Sequence, residues 1–181
     1  MSLLIGQKHA RAWFDFLSHI YDRINPMIYT EGMRRALLEE VEDGRVLDVG
    51  VGTGYTTKHL ANAVGIDLNK NMLRTAKDNY RGVLVLGDAA NPPFKDGSFS
   101  TVISAGSLYY FPSPEDAVKQ FHDLLRDEGV LLTITPSWRA LKIFVHIFSK
   151  RDMENLFKSA GFKLEEIENM RRIAYFCKGR K

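Results

Sequence analysis

The feature that most constrains this chain is Val46-Leu47-Asp48-Val49-Gly50-Val51-Gly52-Thr53-Gly54, a short apolar run passing straight into three glycines at alternate positions. The run reads as a buried parallel strand, which is apolar on both faces and not alternating. Glycines after it let the backbone turn tightly and leave no side chain between main chain and a ligand lying across the strand end. The segment from Tyr55 to Ala63 is expected to follow as a helix. A second apolar run, Ala63-Val64-Gly65-Ile66, ends at Asp67, about 20 residues beyond Asp48. A doubly wound sheet presents a carboxylate to ribose hydroxyls at that place. Together these segments predict a nucleoside-binding fold.

The glycine spacing narrows the nucleoside. Dinucleotide-binding turns read G-x-G-x-x-G, whereas the residue three after Gly52 is Tyr55 and the pattern is G-x-G-x-G. A pyrophosphate also needs a free helix N-terminus, and the acid at Asp48 repels it. The same acid suits a cationic ligand, such as the amino group or sulfonium of S-adenosylmethionine. A tight turn in an unrelated α/β protein is the plain alternative. A third acid, Asp88, ends a further apolar run on the same sheet edge, so three carboxylates converge on one crevice. Asp88 as a helix cap or a metal ligand are the alternatives. Metal is poorly served, because no histidine falls at a matching strand end.

Composition agrees with one compact domain. A chain of 181 residues, 45% apolar and 26% charged, is large enough for one core and too short for two ordinary domains. The net charge of +3 is too small to argue for nucleic acid by itself. The lone Cys177 permits neither an intramolecular disulfide nor a cysteine-built metal site, and reads as a small apolar strand residue. Leu3-Leu4-Ile5 is too short for a signal peptide, and no apolar stretch approaches the ~20 residues of a membrane span. No stable membrane insertion and a cytoplasmic location are the expectations.

Strands alternate with helices along the chain. Asn69 is expected to cap a helix carrying Met72, Leu73 and Ala76 on one face. Strands follow at Val83 to Leu86, Phe99 to Ser104 and Val130 to Thr135. Ser113-Pro114-Glu115-Asp116 starts a helix that buries Val118, Phe121, Leu124 and Leu125 and is expected to stop at Gly129. Another begins near Ser149, places Met153, Leu156, Phe157 and Ala160 on one side, and ends at Gly161. Candidate strands Lys163 to Glu168 and Ile173 to Cys177 finish the chain. This alternation predicts a doubly wound α/β fold, a mostly parallel sheet with helices on both faces.

Residues 45–135 and 149–178 resemble class I S-adenosylmethionine-dependent methyltransferases of the small-molecule type related to ubiquinone and menaquinone biosynthesis enzymes. The resemblance rests on Val46 to Gly54, Val64 to Leu68 with Met72, Gly87-Asp88-Ala89, and Asn91-Pro92-Pro93-Phe94 leading to Asp96-Gly97-Ser98-Phe99. Val102-Ile103-Ser104, Leu108, Phe111-Pro112, Ala160-Gly161-Phe162 and the early Tyr21-Asp22 complete it. It implies a Rossmann-like methyltransferase fold with seven strands, the last antiparallel. It also implies cofactor contacts at Tyr21, Asp48, Gly50, Gly52, Gly54, Asp67, Leu68, Asp88, Ala89 and Ser104, with Asp88 accepting from the adenine amino group. Residues 1–43 are expected to form a helical lid and 44–181 the core. Ser100 departs from the family's usual acid and Asp127-Glu128-Gly129 from its proline-glycine-glycine, while Tyr109-Tyr110 stands where relatives often carry histidine.

Asn91-Pro92-Pro93-Phe94 also resembles the catalytic motif of methyltransferases acting on amino groups of bases or glutamine. That motif directly follows the fourth strand, whereas here the strand Phe99 to Ser104 comes afterwards, so a proline-rich turn is the expectation. Methyl transfer needs a general base only for a hydroxyl or carbon acid, and the crevice offers Tyr109, Tyr110, Tyr21, His9 and His146. Each is expected to pack or be solvated, and no catalytic residue is assigned. Trp13, Phe14, Phe16, Leu17, Ile20 and Tyr21 form an aromatic-rich helical stretch that could lie over the cofactor. Arg139, Lys142 and His146 share a face of an otherwise apolar segment, either a solvated stripe or a pocket for an apolar acceptor with an anionic or phenolic head. Arg171, Arg172, Lys178, Arg180 and Lys181 are expected to be a solvated edge and tail. A small-molecule or lipid-like acceptor is the expected partner, without nucleic acid. An RNA methyltransferase and a cofactor-binding protein without turnover remain the alternatives.

Overall fold

The computed structural model describes residues 29–138, 142 and 146–181. Seven strands form one sheet: β1 (Val46–Val49), β2 (Ala63–Asp67), β3 (Val83–Leu86), β4 (Phe99–Ala105), β5 (Leu125–Pro136), β6 (Lys163–Met170) and β7 (Ala174–Arg180). Their order is β3-β2-β1-β4-β5-β7-β6, with the first five parallel and β7 antiparallel to both neighbours. The expectation of a seven-stranded Rossmann-like sheet with an antiparallel last strand therefore holds. Strand order reverses between β1 and β4, which leaves a crevice outside their carboxyl ends.

Helices cover both faces. On one, α3 (Pro114–Leu124) and α4 (Lys150–Ser159) bury Val118, Phe121, Met153 and Phe157 against Leu47, Val64, Val102 and Leu131. On the other, α1 (Glu31–Glu39) buries Met33 and Leu37 against Val46, Ile103, Val130 and Leu132. α2 (Lys70–Lys77) links β2 to β3 and buries Met72 and Ala76. The helix starts follow local chemistry. Asn69 accepts from the Asn71 and Met72 amides, Ser113 from Asp116, and Ser149 forms a reciprocal capping box with Asp152. Among the described residues no helix is long and apolar enough to cross a membrane.

Three expectations are corrected. Residues 55–59 form successive turns and not a helix, held by the Lys58 amide on Gly54 O and the Leu60 amide on Thr57 O. The β-branched pair Thr56-Thr57 is a poor helix former, and the Thr57 hydroxyl is drawn inward to a buried carboxylate. α3 ends at Leu124, well before Gly129, because Leu125 is already extended and pairs with Phe99. Residues 126–129 bulge out of β5, with Glu128 at φ 61°. Gly129 serves close backbone approach there, since a Cβ would lie 2.9 Å from Arg126 O and 3.0 Å from Ser100 O.

The basic C-terminal end is not a solvated tail either. Lys178 pairs with Glu40 at 2.7 Å, and Arg180 with Glu42 and Glu165 at 2.7 Å each. Lys181 donates to Leu125 O. β7 carries Lys178 and Arg180 between β5 and β6, where they meet Glu40 and Glu42 from the chain before β1 and Glu165 of β6. Arg171 and Arg172 are exposed in the β6–β7 turn.

The α4 face comes unusually close to β7 at Gly179, where a Cβ would lie 2.4 Å from the buried Phe157 ring. Gly179→Ala is expected to overpack this contact and cost about 1–3 kcal/mol in urea denaturation. A variant as stable as the parent would mean that α4 can shift freely on the sheet.

Candidate functional site

The glycine turn after β1 is laid across the end of β2. The Gly50 and Val51 amides donate to Ile66 O, and the Gly52 amide donates to Asp67 Oδ2 at 2.8 Å. This path puts Gly50 at φ 67° and Gly52 at φ 56°, where a side chain is strained. The two glycines meet different surroundings. A Cβ on Gly50 would collide with Ser107 Cβ at 2.5 Å, whereas one on Gly52 would find nothing nearer than Gly50 O at 4.0 Å. Gly50 is thus required by packing, and Gly52 opens on free space at the strand ends.

Asp67 borders that space. Its other oxygen, Oδ1, accepts from the Asn69 amide at 2.8 Å. An ionised carboxylate accepts about four hydrogen bonds, so the main-chain donors leave it capacity for a ligand hydroxyl. Burial raises the Asp67 pKa above the ordinary carboxylate value, against the lowering effect of the Asn69, Gly52 and Leu68 amides. Asp48 lies deeper, only 3% exposed, and its Oδ2 accepts from Thr57 Oγ1 at 2.6 Å. Burial pushes its pKa up to about 7, the Thr57 hydrogen bond lowers it, and the Asp67 charge adds to the rise.

Asp88, half-buried just past β3, accepts from the Ala90 amide at 2.9 Å. No helix begins there, which removes the capping alternative. Ala89, next after Asp88, is buried, and Leu68, next after Asp67, is half-buried. Asn91 to Phe94 lies between β3 and β4, as its order along the chain requires. Among the described residues no group of three or more histidines, cysteines or acids is placed to hold a metal.

On the β4 side, Ser107 stitches the crevice shut at its base. Its hydroxyl donates to Val49 O at 2.6 Å, and it lies 2.8 Å from the fully buried Ser104 hydroxyl. The Ser104 side chain is therefore turned into the fold. Tyr109 Oη lies 3.2 Å from Tyr29 Oη, and the Tyr109 and Tyr110 rings pack at 4.3 Å. Burial raises the Tyr110 phenol pKa far above its ordinary value, which disfavours it as a base. His146 is exposed against Phe148, in a depression of about 310 Å³ shared with Glu115 and Asp152. Tyr21, His9, Arg139 and the aromatic stretch from Trp13 lie outside the described residues. Thr57, Tyr80, Ser107 and Tyr29 join the site without a sequence signal, because each reaches it through folding and not through spacing from the glycines.

Residues 47–133 match the family model of a methyltransferase domain. The chain is similar to the 2-methyl-6-phytyl-1,4-hydroquinone methyltransferase 2, chloroplastic, of Oryza sativa subsp. japonica, at 34% identity over 88% of this chain and 52% of that one. It is also similar to the demethylmenaquinone methyltransferase of Staphylococcus epidermidis, at 31% identity over 75% of this chain and 64% of that one. The chain spans about half the length of the plant relatives it matches. Among solved structures, a SAM-dependent methyltransferase of Thermotoga maritima superposes with a TM-score of 0.81, covering 94% of this chain and 99% of the other at 20% identity. That likeness establishes the fold.

The buried acids make the ligand-free fold sensitive to pH. The Asp48 pKa is raised above its unfolded value, so its stabilising contribution is complete below about pH 4 and is lost as pH rises through about 7. Asp67 shifts in the same direction. Asp48→Asn is expected to be more stable than the parent at pH 8, on the order of 3 kcal/mol, with the gap closing toward pH 4. Chemical denaturation without ligand measures it, and a parent chain at least as stable as the variant at pH 8 would contradict the burial argument.

Proposed function

We propose that the chain is a class I S-adenosylmethionine-dependent methyltransferase that transfers the methyl group of that cofactor to a small, apolar, quinol-like acceptor. The observation that carries the reading is the open space at Gly52, set directly against the Asp67 carboxylate. In this reading Asp67 accepts from the ribose hydroxyls. Asp88 accepts from the adenine amino group, the Ala89 amide reaches a ring nitrogen, and Leu68 lies along the base. Gly52 lets the main chain pass close to the amino-acid end, Gly50 and Gly54 hold the turn by packing on Ser107 and Tyr80, and Asp48 supplies negative charge beneath it. Ser104 contributes through its main chain, its hydroxyl being held by Ser107.

Bound there, the cofactor would supply a sulfonium methyl whose carbon–sulfur bond breaks as the bond to the acceptor forms, with a neutral thioether as leaving group and one proton of the quinol passing to solvent. The protein's part is to hold the acceptor atom ~3–3.5 Å from that methyl and to exclude water. The strip that borders the crevice after β4, from Ala105 to Ser113, has no charged residue and carries Tyr109, Tyr110 and Phe111. Such a strip offers nothing to a phosphate backbone and suits an aromatic ring. Both curated relatives named above carry a hydroquinone or menaquinone in their names, which supports the same class here. Of the lid expected over residues 1–43, residues 1–28 lie outside the described residues, and α1 at its end packs Met33 and Leu37 on the sheet as part of the core. The cytoplasm is the proposed place of action.

Turnover of labelled S-adenosylmethionine over a panel of quinols, lipids, small amines and RNA tests the reading. Methylation of a quinol is expected. Transfer to RNA alone, or to nothing on the panel, would overturn it. Asp67→Ala should weaken cofactor binding ~10–150-fold, the worth of a charge-assisted hydrogen bond of about 1.5–3 kcal/mol. Unchanged affinity in a folded variant would place the ribose elsewhere.

A further inference from the structure

Thr57 and Tyr80 have no part in the roles assigned above. Thr57 is fully buried among the turns that follow the glycines. Its hydroxyl lies 2.6 Å from Asp48 Oδ2 and 2.9 Å from Tyr80 Oη. A hydroxyl has one proton to give, and the carboxylate is the stronger acceptor. Thr57 therefore donates to Asp48, and Tyr80 donates to Thr57. Tyr80 is itself held in place. Its amide donates to Ala76 O at the end of α2, and its ring sits so near Gly54 that a Cβ there would lie 2.7 Å from Cδ2. The Arg81 amide donates to Lys58 O, tying the same two segments together. One directed chain of hydrogen bonds thus joins the end of α2, the turns and β1.

We propose that Thr57, clamped between Tyr80 and Asp48, is a positioning residue that fixes the Asp48 carboxylate beneath the glycine turn and keeps it charged toward the amino-acid end of the cofactor. The inference rests on the cofactor site proposed above. Among the charged and titratable groups around Asp48, β2 contributes Asp67, whose charge opposes ionisation. The end of α2 contributes Tyr80. From α1, the Arg34 guanidinium lies 4.1 Å over the Tyr55 ring, which Lys58 also faces at 4.8 Å. β4 places the apolar Ile103 opposite Asp48. Burial pushes Asp48 up to about 7, and Thr57 is the hydrogen bond that pulls it down. Near neutral pH this hydroxyl favours the charged form against burial and the Asp67 charge.

The test is calorimetric binding of S-adenosylhomocysteine from about pH 6 to 9, with methylthioadenosine, which lacks the amino-acid end, as the comparison. In the parent chain S-adenosylhomocysteine should tighten as pH rises through about 7, while methylthioadenosine should not follow. Thr57→Val should move that rise to higher pH, giving roughly tenfold weaker binding at neutral pH and recovery in base. Thr57→Ser should restore the parent profile. Tyr80→Phe, which keeps the ring on Gly54, should shift it the same way by less, and carries the test if Thr57→Val does not fold. A loss equal at every pH, or no shift in the folded variants, overturns the inference. A parent chain that binds neither ligand at any pH would instead sink the cofactor site on which it rests.

Discussion

The hydrogen bond from the Gly52 amide to the Asp67 carboxylate is the contact on which the rest of the site depends. It joins the ends of β1 and β2, and it draws the glycine turn over the second strand. It also consumes the amide that a phosphate-binding turn would aim at an anion. The residues that follow form turns and present no helix N-terminus. A pyrophosphate at this edge would meet a carboxylate and a committed amide, where dinucleotide folds offer free N–H groups and a positive helix end. An uncharged ribose and a cationic sulfonium meet favourable partners at the same edge.

The carboxylates assigned to the cofactor in the proposed reading work against folding stability. Asp48 and Asp67 are both raised by burial, so holding them ionised costs free energy that packing elsewhere must offset. The offset is visible around them. Ser107 ties the β4 end to Val49 O, Thr57 satisfies Asp48, and α1, α3 and α4 cover both sheet faces with fully buried side chains. Crowding at Gly50 and the open space at Gly52 show the two demands within three residues. One glycine is there for the core, the other for the crevice.

Much of this was legible in the sequence because the signals are local. An apolar run meeting glycines marks the β1 end, and the acids at Asp67 and Asp88 mark its neighbours. Asn69, Ser113 and Ser149 announce their helices within a single turn. What escaped is non-local. Thr57 looks like part of a helix until Asp48 is known to lie against its hydroxyl. Lys178 and Arg180 look like a solvated tail until the antiparallel strand carries them to Glu40 and Glu42, each pair 138 residues apart in sequence. Tyr29 meets Tyr109 across a gap of 80 residues. Gly129 was misread for a related reason, because a glycine wanted for backbone proximity carries the same letter as one ending a helix.

The central claim is that the crevice at the β1–β4 switch is built for a sulfonium nucleoside and not for a dinucleotide. Titration calorimetry of the parent chain with S-adenosylhomocysteine and with NAD at neutral pH tests it most directly. The account predicts micromolar binding of S-adenosylhomocysteine and no measurable heat of binding with NAD. Micromolar binding of NAD with none of S-adenosylhomocysteine would contradict it.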